Sequence, residues 1–326
     1  MKVLVTGAAG YVGSHACKAL AAAGMRPIGL DNLERAGLRE LPWGPLEVAD
    51  TRDRDALDDV LRRHRPDAAM HFAAYAYVGE SVARPGPYYR NNVLGTLTLL
   101  EALRDAGIDR MVFSSTCATY GVPQSVPIDE SHPQHPINPY GASKLMVERM
   151  LADFEHAHGL RYVSLRYFNA AGADPDGAIG ERHDPETHAI PLAIQAALGE
   201  RPTFEIYGTD YPTPDGTAIR DYVHVADLVR AHVQAVGYLT GGGASAALNL
   251  GTGRGHSVRE VVAAVERATG RPIPLREAPR RPGDPPVLVA NPARAQAVLG
   301  WSAQFSELSE IVRTAVHWHA GTGARR

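Results

Sequence analysis

The sequence has 326 residues, of which 44% are hydrophobic and 21% are charged, so its composition is that of a folded globular protein and excludes a disordered chain. A net charge of −3 excludes the excess of positive charge with which nucleic-acid binders neutralise phosphates. With only two cysteines, Cys17 and Cys117, a disulfide framework is excluded and a reducing compartment is predicted.

The start of the chain lacks the pattern of a targeting or membrane segment. Met1 and Lys2 are followed by a short strand-like run and then by glycines. A signal peptide needs a longer apolar core, and a membrane span needs about twenty apolar residues. Together with the cysteine usage, this predicts a cytoplasmic protein with no membrane partner.

The first half of the chain alternates short aliphatic runs with longer helical stretches. The predicted strands are residues 3–5, 27–30, 68–72, 111–113 and 162–165, and the predicted helices are residues 11–23, 53–63, 88–106 and about 138–158. This alternation is typical of βαβ units. It predicts an α/β protein with a Rossmann-type, doubly wound parallel sheet of six strands.

After Asn169 the composition changes to glycine, proline and charged residues, and the regular alternation stops. Strand-like runs recur at 221–225 and 247–250, and some of this material is expected to return to the first domain. We predict a first domain of residues 1–169, with a return at about 220–250, and a smaller C-terminal α/β domain of residues 170–326.

A glycine-rich turn follows the first strand and opens a helix. It runs Gly7-Ala8-Ala9-Gly10-Tyr11-Val12-Gly13, where a pyrophosphate would lie against free backbone N–H groups. The spacing is GxxGxxG, and glycines also serve tight turns for steric reasons alone. Asp31 ends the second strand, where a carboxylate accepts hydrogen bonds from a ribose and repels a 2′-phosphate. The pattern predicts NAD over NADP, although the nearby Arg35 favours the opposite.

A tyrosine and a lysine, Tyr140 and Lys144, lie four residues apart at the start of a predicted helix and therefore on one face. A tyrosine has a pKa near 10, and a neighbouring ammonium favours the phenolate that could act as a base. Thr116 follows the strand at 111–113, at the carboxyl edge where open α/β sheets bind ligands. A hydroxyl there can hydrogen-bond a substrate oxygen while it changes between alcohol and ketone.

These motifs resemble the extended short-chain dehydrogenase/reductase superfamily and, within it, the UDP-glucose (UDP-galactose) 4-epimerases. The resemblance runs from Val3 to about Trp318 and includes Thr6–His15, Asp31–Leu33, Val78–Ser81, Tyr140–Glu148, Leu165–Asn169, Gly208–Pro212, Arg220–Tyr222 and Pro279–Asp284. It implies that NAD is held tightly and that Tyr140 removes the proton of the sugar 4-OH while hydride leaves C4. The 4-keto sugar then turns within the site and regains hydride on its other face.

The resemblance also implies the residues that carry each role. It makes Thr116, Tyr140 and Lys144 catalytic, and it implies no metal. The implied NAD-binding residues are Gly7, Gly10, Tyr11, Val12, Gly13, Asp31, Asn32, Asp50, Thr51, Phe72, Ala73, Asn91, Ser114, Tyr140, Lys144, Tyr167 and Phe168. The implied substrate-binding residues are Thr116, Tyr140, Asn169, His188, Tyr207, Arg220, Arg281, Asp284 and Leu288. Residues 1–169 would then bind NAD, residues 170–326 would bind the UDP-sugar, and a homodimer is expected.

Two positions leave the sugar open. Ala76 stands where well-known UDP-glucose epimerases have a lysine, and residues 76–81 and 115–121 also resemble UDP-arabinose (UDP-xylose) 4-epimerases. Leu288 stands where some members have a tyrosine that closes off N-acetylated sugars, so room for UDP-GlcNAc is a further hypothesis.

Three other interpretations compete. A nucleotide-sugar 4,6-dehydratase needs an acid and a base, but Thr116 is followed by Cys117 and Ala118 instead of an Asp-Glu pair. A reductase would release its cofactor, and a non-catalytic NAD sensor would not need Thr116, Tyr140 and Lys144 together. His183, Glu186 and His188 suggest a loose metal cluster, but their spacing fits no helical HExxH pattern, so no metal is predicted.

Overall fold

The computed structural model describes residues 1–35, 38–281 and 284–323, so Pro282 and Gly283 of the motif Pro279–Asp284 lie outside the described residues. The strands of the main sheet are β1 (Lys2–Thr6), β2 (Arg26–Asp31), β3 (Leu46–Val48), β4 (Ala68–His71), β5 (Arg110–Thr116), β6 (Arg161–Tyr167) and β11 (Ala246–Leu250). Their order is β11-β6-β5-β4-β1-β2-β3, and β1 pairs in parallel with β2 and β4. The predicted Rossmann-type sheet is confirmed.

The sheet has seven strands, one more than the six predicted. The edge strand β3 has only half-buried or exposed residues, so it lacks the aliphatic run by which buried parallel strands are recognised. Residues 246–250 do join the main sheet, whereas β10 (Tyr222–His224) pairs with β7 (Asn169–Ala171) in a separate two-stranded sheet.

The sheet is flanked by α1 (Tyr11–Ala22), α2 (Arg54–His64), α3 (Val78–Ala83), α4 (Pro85–Tyr88), α5 (Gly95–Asp105), α6 (Pro139–His158) and α8 (Val225–Thr240). One core cluster contains Leu4, Leu57, Leu99, Phe113 and Leu151, which come from β1, α2, α5, β5 and α6. The helix predicted over 88–106 is interrupted by a π-helical segment at Tyr89–Leu94, which separates α4 from α5.

The chain forms two compact units. The first comprises residues 1–121, 133–166 and 229–248, and the second comprises residues 122–132, 167–228 and 249 onward. The remaining elements are β8 (Phe204–Tyr207), β9 (Ile219–Arg220), β12 (His256–Ser257), β13 (Leu275–Ala278), β14 (Val287–Leu288), α7 (Ala189–Leu198), α9 (Val258–Thr269), α10 (Ala293–Leu299) and α11 (Leu308–Gly323). Apolar residues of α7, α9 and α11, including Ile194, Val265 and Ile311, form the core of the second unit. Among the described residues, no helix is long and apolar enough to cross a membrane.

A buried ion pair fixes α6 within the first unit. Arg166 of β6 donates to Glu148 of α6 through Nη2 at 2.6 Å and through Nε at 2.9 Å, and both side chains are 7% exposed. Arg166 Nη1 also donates to the hydroxyl of Tyr120 at 3.0 Å, and Ser115 of β5 donates to Glu148. Because a buried charge that loses its partner is strongly unfavourable, this network ties α6 to β5 and β6.

We expect Arg166→Met to lower the free energy of unfolding by about 3–5 kcal/mol, because the Glu148 carboxylate would stay buried without its cation. The double variant Glu148→Gln/Arg166→Met should lose less than Arg166→Met alone. The control is Arg62→Met, which removes an exposed arginine that pairs with Asp59. Urea-unfolding midpoints measure all three, and equal shifts for Arg166→Met and Arg62→Met would contradict the role of the buried pair.

Candidate active site

The predicted catalytic threonine lies where β5 ends. Thr116 is buried, and its Oγ1 accepts the backbone N–H of Ala118 at 3.2 Å, which starts a single helical turn over Cys117–Thr119. The strand end and this turn therefore hold the threonine hydroxyl at the carboxyl edge of the sheet, as the sequence predicted for the position.

The start of α6 packs directly on this turn. Asn138 caps the helix by accepting the N–H of Gly141 at 2.8 Å, and Pro139 occupies the first turn, where its missing N–H costs nothing. A Cβ on Gly141 would lie 2.4 Å from the carbonyl oxygen of Ala118, so only glycine permits this close approach. The contact brings the first turn of α6, which includes Tyr140, beside the segment that follows Thr116.

Lys144 lies one turn further along α6 and is buried at 3% exposure. Its ammonium donates to the carbonyl oxygen of Ser114 at 2.7 Å and lies 4.9 Å from the ring centre of Phe113. Burial lowers its pKa to about 7, and the negative charge of Glu148 acts in the opposite direction. The proton of Lys144 is therefore held weakly enough to be exchanged near neutral pH.

The glycine-rich turn and the start of α1 form a backbone cradle. A Cβ on Gly13 would lie 2.0 Å from the carbonyl oxygen of Gly7, so the helix can approach the turn this closely only without a side chain. No side chain caps α1 at Gly10, and its first turn has no acidic residue. The N–H groups at this end of α1 can therefore donate hydrogen bonds to a phosphate, and the positive end of the helix dipole favours its charge.

An acidic group lies beside this cradle at the end of β2. Asp31 accepts the N–H of Ala9 at 3.0 Å and that of Leu33 at 2.9 Å. Burial raises the pKa of Asp31, and these two hydrogen bonds act to lower it. Asn32 donates to Asp50 at 2.9 Å, and the hydrogen bonds from Arg52 lower the pKa of Asp50 to about 2. The structure therefore brings Asp31, Asn32 and Asp50 into one region.

The other predicted NAD-binding residues are distributed over several elements. Tyr11 and Val12 begin α1, the ring of Phe72 lies 4.7 Å from that of His232, and Ala73 donates to Thr6 Oγ1 at 3.4 Å. The remaining ones are Thr51 and Asn91, which are buried in the first unit, Ser114 in β5, and Tyr167 and Phe168, which belong to the second unit.

Sequence patterns missed the link that positions the π-helical segment. Asn92 donates to the hydroxyl of Ser143 in α6 at 3.0 Å and to the carbonyl oxygen of Tyr75, and its own oxygen accepts the N–H of Tyr75 at 2.8 Å. A buried asparagine inside a stretch that looks helical is the available signal, because a buried amide must find partners. Asn92 thus connects the loop after β4 to α6.

Arg35 forms an ion pair with Glu80, and this pair affects whether the site favours NAD or NADP. Its guanidinium forms two hydrogen bonds of 2.8 Å with Glu80 and lies 4.0 Å above the ring centre of Tyr75. A bidentate pair of this kind orients both side chains. The positive charge that favoured NADP at the level of sequence is therefore neutralised within the protein.

In the second unit, the predicted UDP-sugar residues form two cation-containing pairs. Arg220 of β9 donates to Asp284, and Leu288 of β14 is the register partner of Arg220. The guanidinium of Arg281 lies 3.9 Å above the ring centre of Tyr207, the last residue of β8. The two pairs are linked through the backbone, because the N–H of Asp284 donates to the carbonyl oxygen of Arg281 at 3.2 Å.

The two other predicted substrate residues are carried by different elements of this unit. Asn169 begins β7 and donates its backbone N–H to Asp221 at 3.0 Å. His188 immediately precedes α7, and its Nδ1 hydrogen-bonds to Glu181. Geometry thus groups Tyr207, Arg220, Arg281, Asp284 and Leu288, whereas Asn169 and His188 keep separate local partners.

Comparisons with known proteins agree with this arrangement. The sequence matches the model of the NAD dependent epimerase/dehydratase family over residues 3–251. A UDP-glucose 4-epimerase from Rhizobium leguminosarum bv. trifolii is 58% identical over 318 residues, which cover 98% of this chain and 97% of the relative.

Solved structures give the same result. The UDP-glucose 4-epimerase from Brucella ovis in complex with NAD has a TM-score of 0.95 and 53% identity, and the match covers 97% of this chain and 98% of that one. The UDP-glucose-4-epimerase from Stenotrophomonas maltophila, with bound NAD and formylated UDP-arabinopyranose, has a TM-score of 0.95 and 40% identity over all of both chains. This chain belongs to the NAD dependent epimerase/dehydratase family, as its sequence motifs predicted.

Proposed function

We propose that this protein is an NAD-dependent UDP-sugar 4-epimerase that interconverts UDP-galactose and UDP-glucose through a transient 4-keto sugar. The observation that carries the proposal is the first two turns of α6: Tyr140 and the buried Lys144 lie on one helix face beside the segment that follows Thr116. Relatives and solved neighbours with this fold are UDP-glucose 4-epimerases, which supports epimerisation over the dehydratase and sensor interpretations.

The residues at the glycine-rich turn fit NAD. The uncapped start of α1 offers N–H groups to a pyrophosphate, and the Asp31 carboxylate can accept from ribose hydroxyls. Bound there, the nicotinamide ring would accept and return the hydride at C4 of the sugar. The reaction has no net change of oxidation state.

The chain's own residues supply the proton chemistry. Tyr140 would take the proton from the sugar 4-OH and return it after the sugar has turned, while Thr116 Oγ1 would hydrogen-bond the same oxygen. The pKa of Lys144, lowered to about 7 by burial, lets its ammonium give or regain a proton near the pH at which tyrosine must act. Its hydrogen bond to Ser114 fixes the direction of the side chain.

Recognition of the nucleotide would fall to the second unit. Guanidinium groups suit a diphosphate because they bind its oxygens through two parallel hydrogen bonds, which assigns this role to Arg220 and Arg281. Asp284 would accept from ribose hydroxyls, and the Tyr207 ring offers an apolar face. Asn169 and His188 would contact the sugar or its phosphates, and Leu288 would limit the space beside Arg220.

We expect Tyr140→Phe to lower kcat for UDP-galactose by on the order of 10²–10⁴-fold, because the variant lacks the group that moves the proton. Tyr238→Phe, which changes a half-buried tyrosine of α8, is the matched control and should keep its rate. The assay follows UDP-sugars by NMR without added NAD, and retained NAD shows that each variant is folded. Undiminished epimerisation by Tyr140→Phe would refute the mechanism.

The pairing of Arg35 supports the preference for NAD. Glu80→Gln should release the guanidinium toward a 2′-phosphate and tighten NADP binding to the nucleotide-free protein by roughly 3–10-fold, with NAD affinity changed less. Asp153→Asn, on the exposed side of α6, makes the same change of net charge and is the control. Fluorescence titration measures each affinity, and an unchanged ratio of NADP to NAD affinity in Glu80→Gln would show that the pair does not set the preference.

A homodimer is part of the proposal. Leu94 before α5 and Met146 in α6 are 50% and 42% exposed, and they lie in the helices predicted over 88–106 and 138–158, which are the candidate dimer contacts. Burying such side chains stabilises association. Light scattering should give twice the mass of the 35.0 kDa chain, and Leu94→Glu should shift the protein toward monomer. A wild-type monomer at micromolar concentration would contradict the dimer.

A further inference from the structure

Four side chains with metal-ligating atoms meet in the loop between β7 and α7. They are Glu181, His183, Glu186 and His188, referred to as the 181–188 cluster, and one ligand atom from each lies within 4.8 Å of all the others. The sequence argued against a metal here because the spacing fits no helical motif. The loop nevertheless brings the four side chains together, so a helical spacing is not needed to form the cluster.

The atoms within the cluster face one another in a way that suits a metal ion. Nδ1 of His183 lies 3.1 Å from Glu181 Oε1 and 3.7 Å from Glu186 Oε1. Nδ1 of His188 approaches the same oxygen of Glu181. A tetrahedral zinc ion, with bonds of about 2.0–2.1 Å, separates its ligand atoms by about 3.4 Å. The observed distances lie on both sides of this value, so small side-chain rotations would suffice.

Burial gives the cluster a need for positive charge. The side chains of Glu181 and Glu186 are 3% and 5% exposed. Two carboxylates this close and this buried need a compensating cation, because neither is well solvated by water. Burial acts to lower the pKa of His183, but its contacts with Glu181 and Glu186 raise it to about 10, so the imidazoles carry this charge when no ion is bound. A divalent ion would displace the imidazole protons and supply the positive charge itself, because a ligating imidazole must be neutral.

The surroundings hold the ligands in position. Glu186 Oε1 accepts the backbone N–H groups of Thr187 at 2.7 Å and His188 at 2.9 Å. The indole N–H of Trp318 donates to the carbonyl oxygen of Glu181 at 3.0 Å. Hydrogen bonds of this kind orient metal ligands and raise affinity. The cluster is thus ordered by contacts within residues 186–188, directly before α7, and by a contact to α11.

We propose that the 181–188 cluster binds one divalent transition-metal ion of the zinc type, through two imidazole nitrogens and two carboxylate oxygens. Nitrogen ligands favour such ions over magnesium or calcium, which take oxygen ligands. The ion would fix the loop to the start of α7 and so restrain His188. The inference goes beyond the proposed epimerase function, since the sugar chemistry needs no metal.

The test uses the full-length protein without a histidine tag, treated with a chelator and titrated with Zn²⁺ alone. We expect one tightly bound equivalent by elemental analysis after desalting, together with a rise in Tm. His183→Gln should weaken binding at least about tenfold and abolish the rise in Tm. His156→Gln, which removes an exposed histidine of α6, is the matched control and should bind as the wild type does.

Two outcomes of this test would contradict zinc binding at the 181–188 cluster. The same zinc content and affinity in His183→Gln and His156→Gln would overturn the proposal, and so would the absence of a stoichiometric ion in the wild type. If His183→Gln does not fold, Glu186→Gln supplies the same comparison, because it removes a ligand charge while keeping the side-chain size. Epimerase activity is measured separately, so loss of zinc binding with intact turnover would leave the proposed function unaffected.

Discussion

The position of α6 depends on the buried ion pair between Glu148 and Arg166. Both charges are removed from water, so each is tolerable only while the other is present, and the pair allows one position of α6 relative to β6. Ser115, which donates to Glu148, directly precedes Thr116. Lys144 and Tyr140 lie one and two turns before Glu148 on the same helix. The ion pair therefore sets the register of Tyr140 and Lys144 against the strand end that carries Thr116.

Burial of Lys144 destabilises the folded state, and it also lowers the pKa of the ammonium. An ammonium without bulk water around it loses much of its affinity for a proton, and the nearby Glu148 restores only part of it. The neighbouring His71 stays neutral, since burial first and the charge of Lys144 second lower its pKa to about 3. The site therefore contains one buried lysine whose protonation can change near neutral pH, beside a histidine that stays neutral there.

Local sequence patterns predicted the strands, helices and turns whose form is determined by residues close together in the chain. The runs that became β1 and α1 were visible because parallel strands are aliphatic throughout and because glycines mark the turn between them. The start of α6 was predicted through the spacing of Tyr140 and Lys144. Sequence reasoning missed features that depend on partners far apart in the chain, such as Arg35 with Glu80, Asn92 with Ser143, and the meeting of Glu181 with His188 across a loop. No periodicity encodes such pairs, because each is created by the fold.

The arginines nearest the predicted ligand positions share one property: each already has an internal partner. Arg35 is paired with Glu80, Arg52 with Asp50, Arg220 with Asp284, and Arg281 lies over the ring of Tyr207. These contacts order long side chains before a ligand arrives, so less conformational entropy is lost on binding. They also mean that a phosphate must compete with a carboxylate for the same guanidinium. At Arg35, where the carboxylate is held by two hydrogen bonds, this competition disfavours an extra phosphate. At Arg281, where an aromatic ring is the partner, the edge of the guanidinium stays available for hydrogen bonds. Selectivity for one anion over another can therefore arise from how each arginine is occupied as well as from where it lies.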